Sequence, residues 1–296
     1  MDSIFFEIGD KRFHALSAGD PARPLLLCLH GFPEYCGGWA DVMPHLADRY
    51  HVVAPDQRGY GQSWRAGTVD DYAARHLAAD AIAMIARFGD GRAIVAGHDW
   101  GASVAYAVAM RAPDSVSHLV IANGVHPAPF QRALAAGGAQ SEASQYIEWL
   151  RAAGSEEALA ADDFALMFGL FSKHMNMDWL TPDRRRAFAA AWKDVEGVRA
   201  MVNWYRATPL KVARPGAPLP PGSLPPWDMD AMRISMPHLL IWGEEDRALL
   251  PASRDGLEDF CDDLTVRRFP GADHWILHQE PEAVARTIRN FLSEKS

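Results

Sequence analysis

The feature of the sequence that most restricts its fold is a sharp turn between an apolar strand and a helix, in the segment AIVAGHDWGASVAYAVAM at positions 93–110. Gly97 and Gly101 flank the turn, and Asp99 stands between them. Turns of this kind raise the central side chain above the carboxyl edge of a parallel sheet, and the central residue is usually serine. An aspartate there is either a helix N-cap or a carboxylate nucleophile, and the two glycines favour the nucleophile.

Short, near-continuous apolar runs recur along the chain, and most of them are followed by a helical pattern. Such runs are typical of strands buried on both faces of a parallel sheet. An opening hairpin is expected from Phe5–Ile8 and Arg12–Ala15, on either side of a Gly-Asp turn. The further strands are expected at Leu25–Leu29, His51–Ala54, Ile94–Gly97, Leu119–Ala122, His238–Trp242 and Leu264–Phe269. The pattern predicts an α/β fold with a mostly parallel sheet of about eight strands.

The alternation of strands and helices stops after Asn123. The next hundred residues are helical in pattern, with helices expected at Ser144–Ala153, Ala161–Lys173, Pro182–Lys193 and Val198–Thr208. The proline-rich segment 213–227 cannot lie inside a helix or a central strand and predicts an extended connector. We therefore expect a core built from residues 1–126 and 229–296, interrupted by a helical lid, or cap, over residues 127–228.

Composition excludes several classes of function. The net charge of −9, without a run of Lys or Arg, argues against nucleic acid as a partner. No apolar run could span a membrane and no signal peptide begins the sequence, so we expect a cytoplasmic protein without a membrane partner. Cys28, Cys36 and Cys261 lack metal-binding or redox spacing, which predicts neither a metal nor a cofactor. The expected partners are a small-molecule substrate and water, and both a monomer and a homodimer remain open.

A carboxylate nucleophile needs a base that hydrolyses the ester it forms. His274 follows the last strand and is the expected base, whereas His278, close to a helix start, is a weaker candidate. The base in turn needs an anionic partner, and Asp246 follows the penultimate strand in the segment WGEEDRALLP. Its neighbours Glu244 and Glu245 could serve by residue type. The chain order of nucleophile, acid and histidine is the one found in other enzymes with this turn.

The reaction also requires donors for an oxyanion. The segment LHGFPEYCGGW at positions 29–39 follows the first long buried strand. One N–H from this loop and one from the residue after the nucleophile commonly form the oxyanion hole. The backbone amides of Phe32 and Trp100 are therefore the expected donors.

Five motifs, HGFPE, DQRGYGQS, GHDWGA, WGEEDRALLP and GADHW, occur in this order over nearly the whole chain. Together they resemble the epoxide hydrolases of the α/β-hydrolase fold and their dehalogenase relatives. The resemblance implies the α/β-hydrolase fold with an inserted cap. It also implies that Asp99 attacks an electrophilic carbon to give an alkyl-enzyme ester, and that His274 with Asp246 activates the water that hydrolyses it.

The substrate depends on how the leaving group is held. Epoxide hydrolases use two tyrosines of the cap as acids, and the predicted cap contains two tyrosines, Tyr146 and Tyr205. Their order resembles that of the tyrosine pair, and an alkoxide leaving group needs acid assistance. The resemblance thus implies opening of a neutral, hydrophobic epoxide to a vicinal diol, with Phe32, Trp100 and Trp275 at the substrate.

Dehalogenation of haloalkanes or haloacetates by the same triad is the alternative. Haloalkane dehalogenases hold halide with the Trp after the nucleophile and often an Asn, but Phe32 occupies the Asn position. Fluoroacetate dehalogenases carry arginines where Trp100 and Ser103 stand here, and place their acid after the strand that ends at Asn123. A catalytically silent binding protein is a further alternative, but it would not need all three triad residues.

Overall fold

One eight-stranded sheet forms the centre of the protein. The computed structural model describes residues 1–224 and 228–295. The strands are β1 (Asp2–Ile8), β2 (Lys11–Ala18), β3 (Leu25–Leu29), β4 (His51–Pro55), β5 (Ala93–His98), β6 (Val116–Ala122), β7 (His238–Gly243) and β8 (Leu264–Phe269). Their order across the sheet is β1-β2-β4-β3-β5-β6-β7-β8. Only β1–β2 and β2–β4 pair in antiparallel fashion, and β3 to β8 are parallel. The prediction of about eight mostly parallel strands is confirmed.

The helices alternate with the strands in the core and follow one another without strands in the middle of the chain. In the described residues they are α1 (Ala74–Phe88), α2 (Trp100–Arg111), α3 (Pro127–Ala135), α4 (Ala139–Ala143), α5 (Gln145–Arg151), α6 (Ser155–Ser172), α7 (Pro182–Trp192), α8 (Val195–Ala207), α9 (Ile276–Gln279) and α10 (Pro281–Glu294).

The continuous apolar runs follow from burial of the sheet on both faces. In β3, Leu25, Leu27 and Leu29 enter the cluster that includes residues of α1 and α2. Leu26 and Cys28 enter the cluster that includes residues of α9 and α10. Because successive side chains of a strand point to opposite faces, nearly every residue of such a strand is apolar.

Six helices, α3 to α8, lie between β6 and β7, where the sequence predicts the cap. Helix α6 starts at Ser155, earlier than expected, and is broken by left-handed backbone at Asp162–Phe164. Helices α3 and α4 are absent from the prediction. Pro127 stands in the first turn of α3, where its missing N–H costs no hydrogen bond, and the His126 ring caps the helix by accepting from the amide of Ala128.

The proline-rich connector is described only in part. Between residues 213 and 224 the chain contains neither a helix nor a strand, apart from one isolated bridge between Arg214 and Ala217. Pro225, Pro226 and Trp227, at the end of the predicted connector, lie outside the described residues. The boundaries at 126/127 and 228/229 therefore stay predictions.

Two indole rings fasten the helices between β6 and β7 to loops of the core. Nε1 of Trp192, at the end of α7, donates to the carbonyl of Pro33 at 2.6 Å. Nε1 of Trp204, in α8, donates to the carbonyl of Arg58 at 3.0 Å. Both acceptors lie just beyond the carboxyl ends of central strands, so these helices cover the edge of the sheet where α/β proteins bind ligands.

The sequence predicts no segment that spans a membrane. Among the residues that the structure describes, no helix is both long and apolar enough to cross a bilayer. The cytoplasmic location stays a prediction.

Candidate active site

Asp99 occupies a strained turn at the carboxyl end of β5. Its backbone has φ 51° and ψ −119°, a region that residues with a side chain rarely adopt. After this turn α2 packs directly on β3. A Cβ at Gly101 would lie 2.1 Å from the carbonyl oxygen of Leu29, so a side chain there would prevent the packing. Glycine is therefore required there, and the Asp99 side chain is lifted to the edge of the sheet.

The loop after β3 brings a backbone donor to the aspartate. The Phe32 amide donates to Oδ1 of Asp99 at 2.7 Å. A Cβ at Gly31 would lie 2.4 Å from the same oxygen, so only glycine permits this approach. Burial raises the pKa of Asp99, although the charge of His274 and hydrogen bonds from the amides of Phe32 and Trp100 act to lower it. Oδ1 thus lies where an oxyanion would be stabilised.

The imidazole of His274 lies between two carboxylates. Its Nδ1 is 2.8 Å from Oδ2 of Asp246, and its Nε2 is 3.6 Å from Oδ2 of Asp99. Burial lowers the pKa of His274, but the charge and hydrogen bond of Asp246 and the charge of Asp99 outweigh it and raise the value to about 9. Burial acts to raise the pKa of Asp246, yet the charge and hydrogen bond of His274 bring it below its usual value. The histidine is therefore protonated at neutral pH.

Asp246 is held by Asn123, a residue for which the sequence predicts no role in this site. Nδ2 of Asn123 donates to Oδ2 of Asp246 at 2.8 Å, and Oδ1 of Asn123 accepts from the amide of Gly243 at 2.7 Å. The amides of Ala248 and Leu249 donate to Oδ1 of Asp246 at 2.8 and 2.9 Å. The only sequence signal for Asn123 is its position directly after β6.

The two glutamates beside Asp246 lie elsewhere. Glu244 and Glu245 are exposed, and they pair with Arg268 at 3.8 Å and Arg247 at 3.3 Å. Of the three acidic residues at positions 244–246, Asp246 is the one whose carboxylate contacts His274.

Tyr146 of α5 and Tyr205 of α8 lie together above Asp99. Their ring centroids are 6.1 Å apart, and all three residues line the same cavity. The Tyr205 ring is held edge-on between Phe32 and Trp100, at centroid distances of 5.1 and 5.0 Å. Burial, reinforced by the nearby charge of Asp99, raises the pKa of both phenols, so both remain protonated donors at neutral pH.

The cavity measures about 470 Å³ and is apolar inside and charged at its rim. Apolar side chains form the inner wall: Phe32, Leu170, Phe171 and Trp275. Exposed charged and polar side chains form the rim: Glu142, Lys173, His174 and Arg247. Trp100 lines a separate pocket of about 30 Å³, which shares Asp99 and both tyrosines with the larger cavity.

One buried group in the described part of the chain has side chains of metal-ligand type. The ligand atoms of His14, Cys36 and Asp56 lie within 4.8 Å of one another. They already bond among themselves and to the fold: Asp56 accepts from the His14 ring at 2.7 Å and from the Cys36 amide at 2.8 Å. Burial also raises the pKa of the Cys36 thiol, which disfavours the thiolate that binds metals. Hydrogen bonding within the fold accounts for this group.

The charge of Asp99 should be visible in the titration of His274. Asp99→Asn keeps the shape of the side chain but removes the negative charge 3.6 Å from Nε2. We expect the pKa of His274 to fall from about 9, because one of the two anions that favour the protonated ring is lost. An NMR titration of the imidazole nitrogens measures the shift. Glu244→Gln, which removes an exposed carboxylate, should leave it unchanged; equal midpoints in both variants would contradict the electrostatic origin.

The chain matches known proteins along most of its length. A family model described as alpha/beta hydrolase fold matches residues 24–281. AB hydrolase superfamily protein YfhM of Bacillus subtilis is 32% identical over 100% of both chains. Epoxide hydrolase 3 of Mus musculus is 31% identical, over 96% of this chain and 74% of its own length.

Solved structures agree with these matches. One from novel epoxide hydrolases found in metagenomes of hot environments has a TM-score of 0.88 at 32% identity and covers 98% of both chains. A point mutant of an epoxide hydrolase from Bacillus megaterium has a TM-score of 0.86 at 27% identity, covering 98% of this chain and 100% of that one. The resemblance carried by the five motifs is confirmed. The chain belongs to the α/β-hydrolase fold family, in the branch that includes these epoxide hydrolases.

Proposed function

We propose that this enzyme hydrolyses neutral, hydrophobic epoxides to vicinal diols through an ester on Asp99. The observation that carries the proposal is the position of two protonated phenols, Tyr146 and Tyr205, on the same cavity as the Asp99 carboxylate. An epoxide bound between Asp99 and the two tyrosines would contact the nucleophile on one side and the acids on the other. The relatives named epoxide hydrolases support the same reaction.

In the first half of the reaction Asp99 is the nucleophile. The Phe32 amide holds Oδ1, so Oδ2 is the oxygen that attacks a ring carbon. The carbon–oxygen bond of the epoxide breaks, and the departing oxygen takes a proton from Tyr146 or Tyr205. The resulting phenolate takes up a proton from solvent before the next turnover. This acid assistance is necessary because a free alkoxide is a poor leaving group. The product is an ester between Asp99 and the opened substrate.

Ester formation prepares His274 for the second half. The ester has no negative charge, so one of the anions that raise the pKa of His274 disappears, and the ring loses its Nε2 proton to solvent more readily. The neutral ring then removes a proton from water, which attacks Cγ of the ester. The oxyanion forms on Oδ1 at the amides of Phe32 and Trp100. Its collapse breaks the bond between Cγ and the substrate oxygen, which takes a proton from His274 to give the diol. Asp99 is left as the carboxylic acid, and transfer of its proton to His274 restores the resting charges.

The cavity favours a neutral and apolar substrate. Its inner wall carries aromatic and aliphatic side chains; apart from Asp99 and His274 at the reacting centre, the charged side chains stand at the exposed rim. Another point mutant of the Bacillus megaterium epoxide hydrolase, with a TM-score of 0.86 at 26% identity, was solved with its product, a naphthyloxy-propane-diol. An aryl-substituted epoxide is therefore a suitable first substrate.

The reaction class can be tested directly. Purified enzyme incubated with styrene oxide should release the diol, whereas a bromoalkane and fluoroacetate should release little halide, because Phe32 has no side-chain donor for a halide. Chromatography of the diol and halide-ion analysis measure the two outcomes. Asp99→Asn is the control for uncatalysed ring opening. Halide release without diol would refute the proposed function and favour dehalogenation.

The tyrosine pair should supply the acid. Tyr146→Phe and Tyr205→Phe each keep the ring that packs in the cavity but remove a donor, and the double variant removes both. We expect each single change to slow ester formation roughly 10-fold and the double change to slow it roughly 100-fold or more, within the range of general acid catalysis. Rapid-quench measurement of the ester gives the rate. Phe171→Leu, a change in the cavity wall without loss of a hydroxyl, is the control; full activity of the double variant would exclude both phenols as the acid.

Asp246 should matter for hydrolysis rather than for attack. In Asp246→Asn the histidine loses its acceptor at 2.8 Å, so it no longer presents the correct nitrogen to water. We expect ester formation to continue and hydrolysis to slow by roughly 10³-fold or more. Mass spectrometry of the intact protein should show the trapped ester on Asp99. Glu245→Gln is the matched control and should turn over normally; trapping in that variant instead would assign the acid to Glu245.

A further inference from the structure

His278 is buried four residues after His274, yet it points away from the nucleophile. Its side chain is 3% exposed, and its Nε2 lies 2.9 Å from Oε1 of Glu34. The two histidines therefore contact different carboxylates, His274 that of Asp246 and His278 that of Glu34, although they are only four residues apart. The proposed reaction assigns no role to His278 or to Glu34.

Glu34 is a fully buried carboxylate at the end of the loop that carries the oxyanion donor. Oε1 faces His278, while Oε2 lies 2.8 Å from Nδ1 of His98 and 3.3 Å from the amide of Gly31. Burial acts to raise the pKa of Glu34, but the charge of His98 and the hydrogen bonds of both histidines bring it well below its usual value. An ionised carboxylate in such a place is stable only while these donors remain. Glu34, His98 and His278 are called the buried Glu34 network.

His98 connects this network to the base. Its Nε2 lies 2.8 Å from the backbone carbonyl of His274, and this carbonyl can only accept, so Nε2 carries a proton. The ionised Glu34 likewise requires a proton on Nδ1. The ring of His98 therefore joins the oxyanion loop to the backbone of His274, and it directly precedes Asp99 in the chain.

The other side of His278 faces the helices that cover the site. Its ring stacks on Trp179, at a centroid distance of 3.9 Å and an angle of 7°. Its Nδ1 lies 3.2 Å from NH1 of Arg184 in α7 and 3.7 Å from Oδ2 of Asp41 in the core. Arg184 also pairs with Asp41 at 2.7 Å. The charged groups that face His278 are thus Glu34, Asp41 and Arg184.

We propose that His278 is a positioning residue that couples the docking of α7 on the core to the geometry of the oxyanion loop and of the catalytic base. One ring bonds the covering helix through Arg184 and the loop through Glu34, and it reaches His274 through His98. A shift of α7 therefore changes the support of Gly31–Phe32 as well as that of His274. The kinetic part of this inference rests on the proposed function.

The test compares three variants with a matched control. His278→Phe keeps the stack on Trp179 but removes both ring nitrogens. His278→Gln keeps an amide donor for Glu34. Arg184→Met removes the contacts of the covering helix with His278 and with Asp41 but leaves the His278 ring and its bond to Glu34 in place. Arg186→Met is the control, because Arg186 is exposed on the same helix and its ion-pair partner in the described part of the chain is Asp183 of that helix. Kinetics with styrene oxide are read below the melting temperature of each variant, together with hydrogen–deuterium exchange of peptides that contain Gly31–Phe32 and α7.

We expect His278→Phe and Arg184→Met to lower kcat roughly 10-fold with KM within about twofold, because misplaced catalytic groups slow the chemistry while the cavity wall is unchanged. Exchange in both peptides should rise in these variants. His278→Gln should recover most of the loss of His278→Phe, and Arg186→Met should behave as wild type. If His278→Phe does not fold, Arg184→Met alone decides whether α7 and the oxyanion loop are coupled.

Wild-type kcat together with wild-type exchange at Gly31–Phe32 in Arg184→Met would overturn the coupling, and so would loss of stability in His278→Phe without a change in kcat. The exchange measurement does not require turnover. If wild-type enzyme opens no epoxide, the proposed function fails, but the exchange data still decide whether α7 and the oxyanion loop are coupled.

Discussion

A protonated imidazole between the buried carboxylate of Asp246 and the partly buried carboxylate of Asp99 is the interaction on which the rest of this structure depends. His274 and its partners Asp99 and Asp246 carry charges that would be costly to bury singly. The fold offsets that cost with donors from several elements: an amide from the loop after β3, amides after β7, and the side chain of Asn123 after β6. Each donor lies at the carboxyl end of a parallel strand. The charge triad is therefore possible only at this edge of this sheet.

The same electrostatic arrangement explains how one site would perform the two steps of the proposed reaction. While Asp99 is ionised, it favours a protonated His274, which is unsuited to act as a base. In the proposed reaction, esterification would remove that charge and favour the neutral ring, so the product of the first step would activate the base for the second. The proposed acids must instead hold their protons until the ring opens, and burial raises the pKa of Tyr146 and Tyr205 in that direction.

The sequence predicts what depends on local pattern and misses what depends on distant contacts. The central strands β3 to β7 are predictable because strands buried on both faces are largely apolar, and β1 and β2 are predictable from the hairpin pattern around Gly9-Asp10. The positions of Asp99, Asp246 and His274 follow from strand ends and family motifs. Helices α3 and α4 escape prediction since prolines and glycines obscure their helical pattern. The support by Asn123 and the buried Glu34 network join residues far apart in the chain, such as Glu34 and His278, and no spacing rule reveals such bonds.

The hydrogen bonds between the covering helices and the core affect how the substrate range of this enzyme can evolve. Trp192 donates to the carbonyl of Pro33, and Asp99 accepts from the amide of Phe32, so the dipeptide is held at both ends through its backbone. The side chain of Phe32 takes no part in either bond and faces the cavity. Substitutions at residue 32 can therefore change the cavity wall while the backbone amide that faces Asp99 and the hydrogen bond from Trp192 to Pro33 are kept.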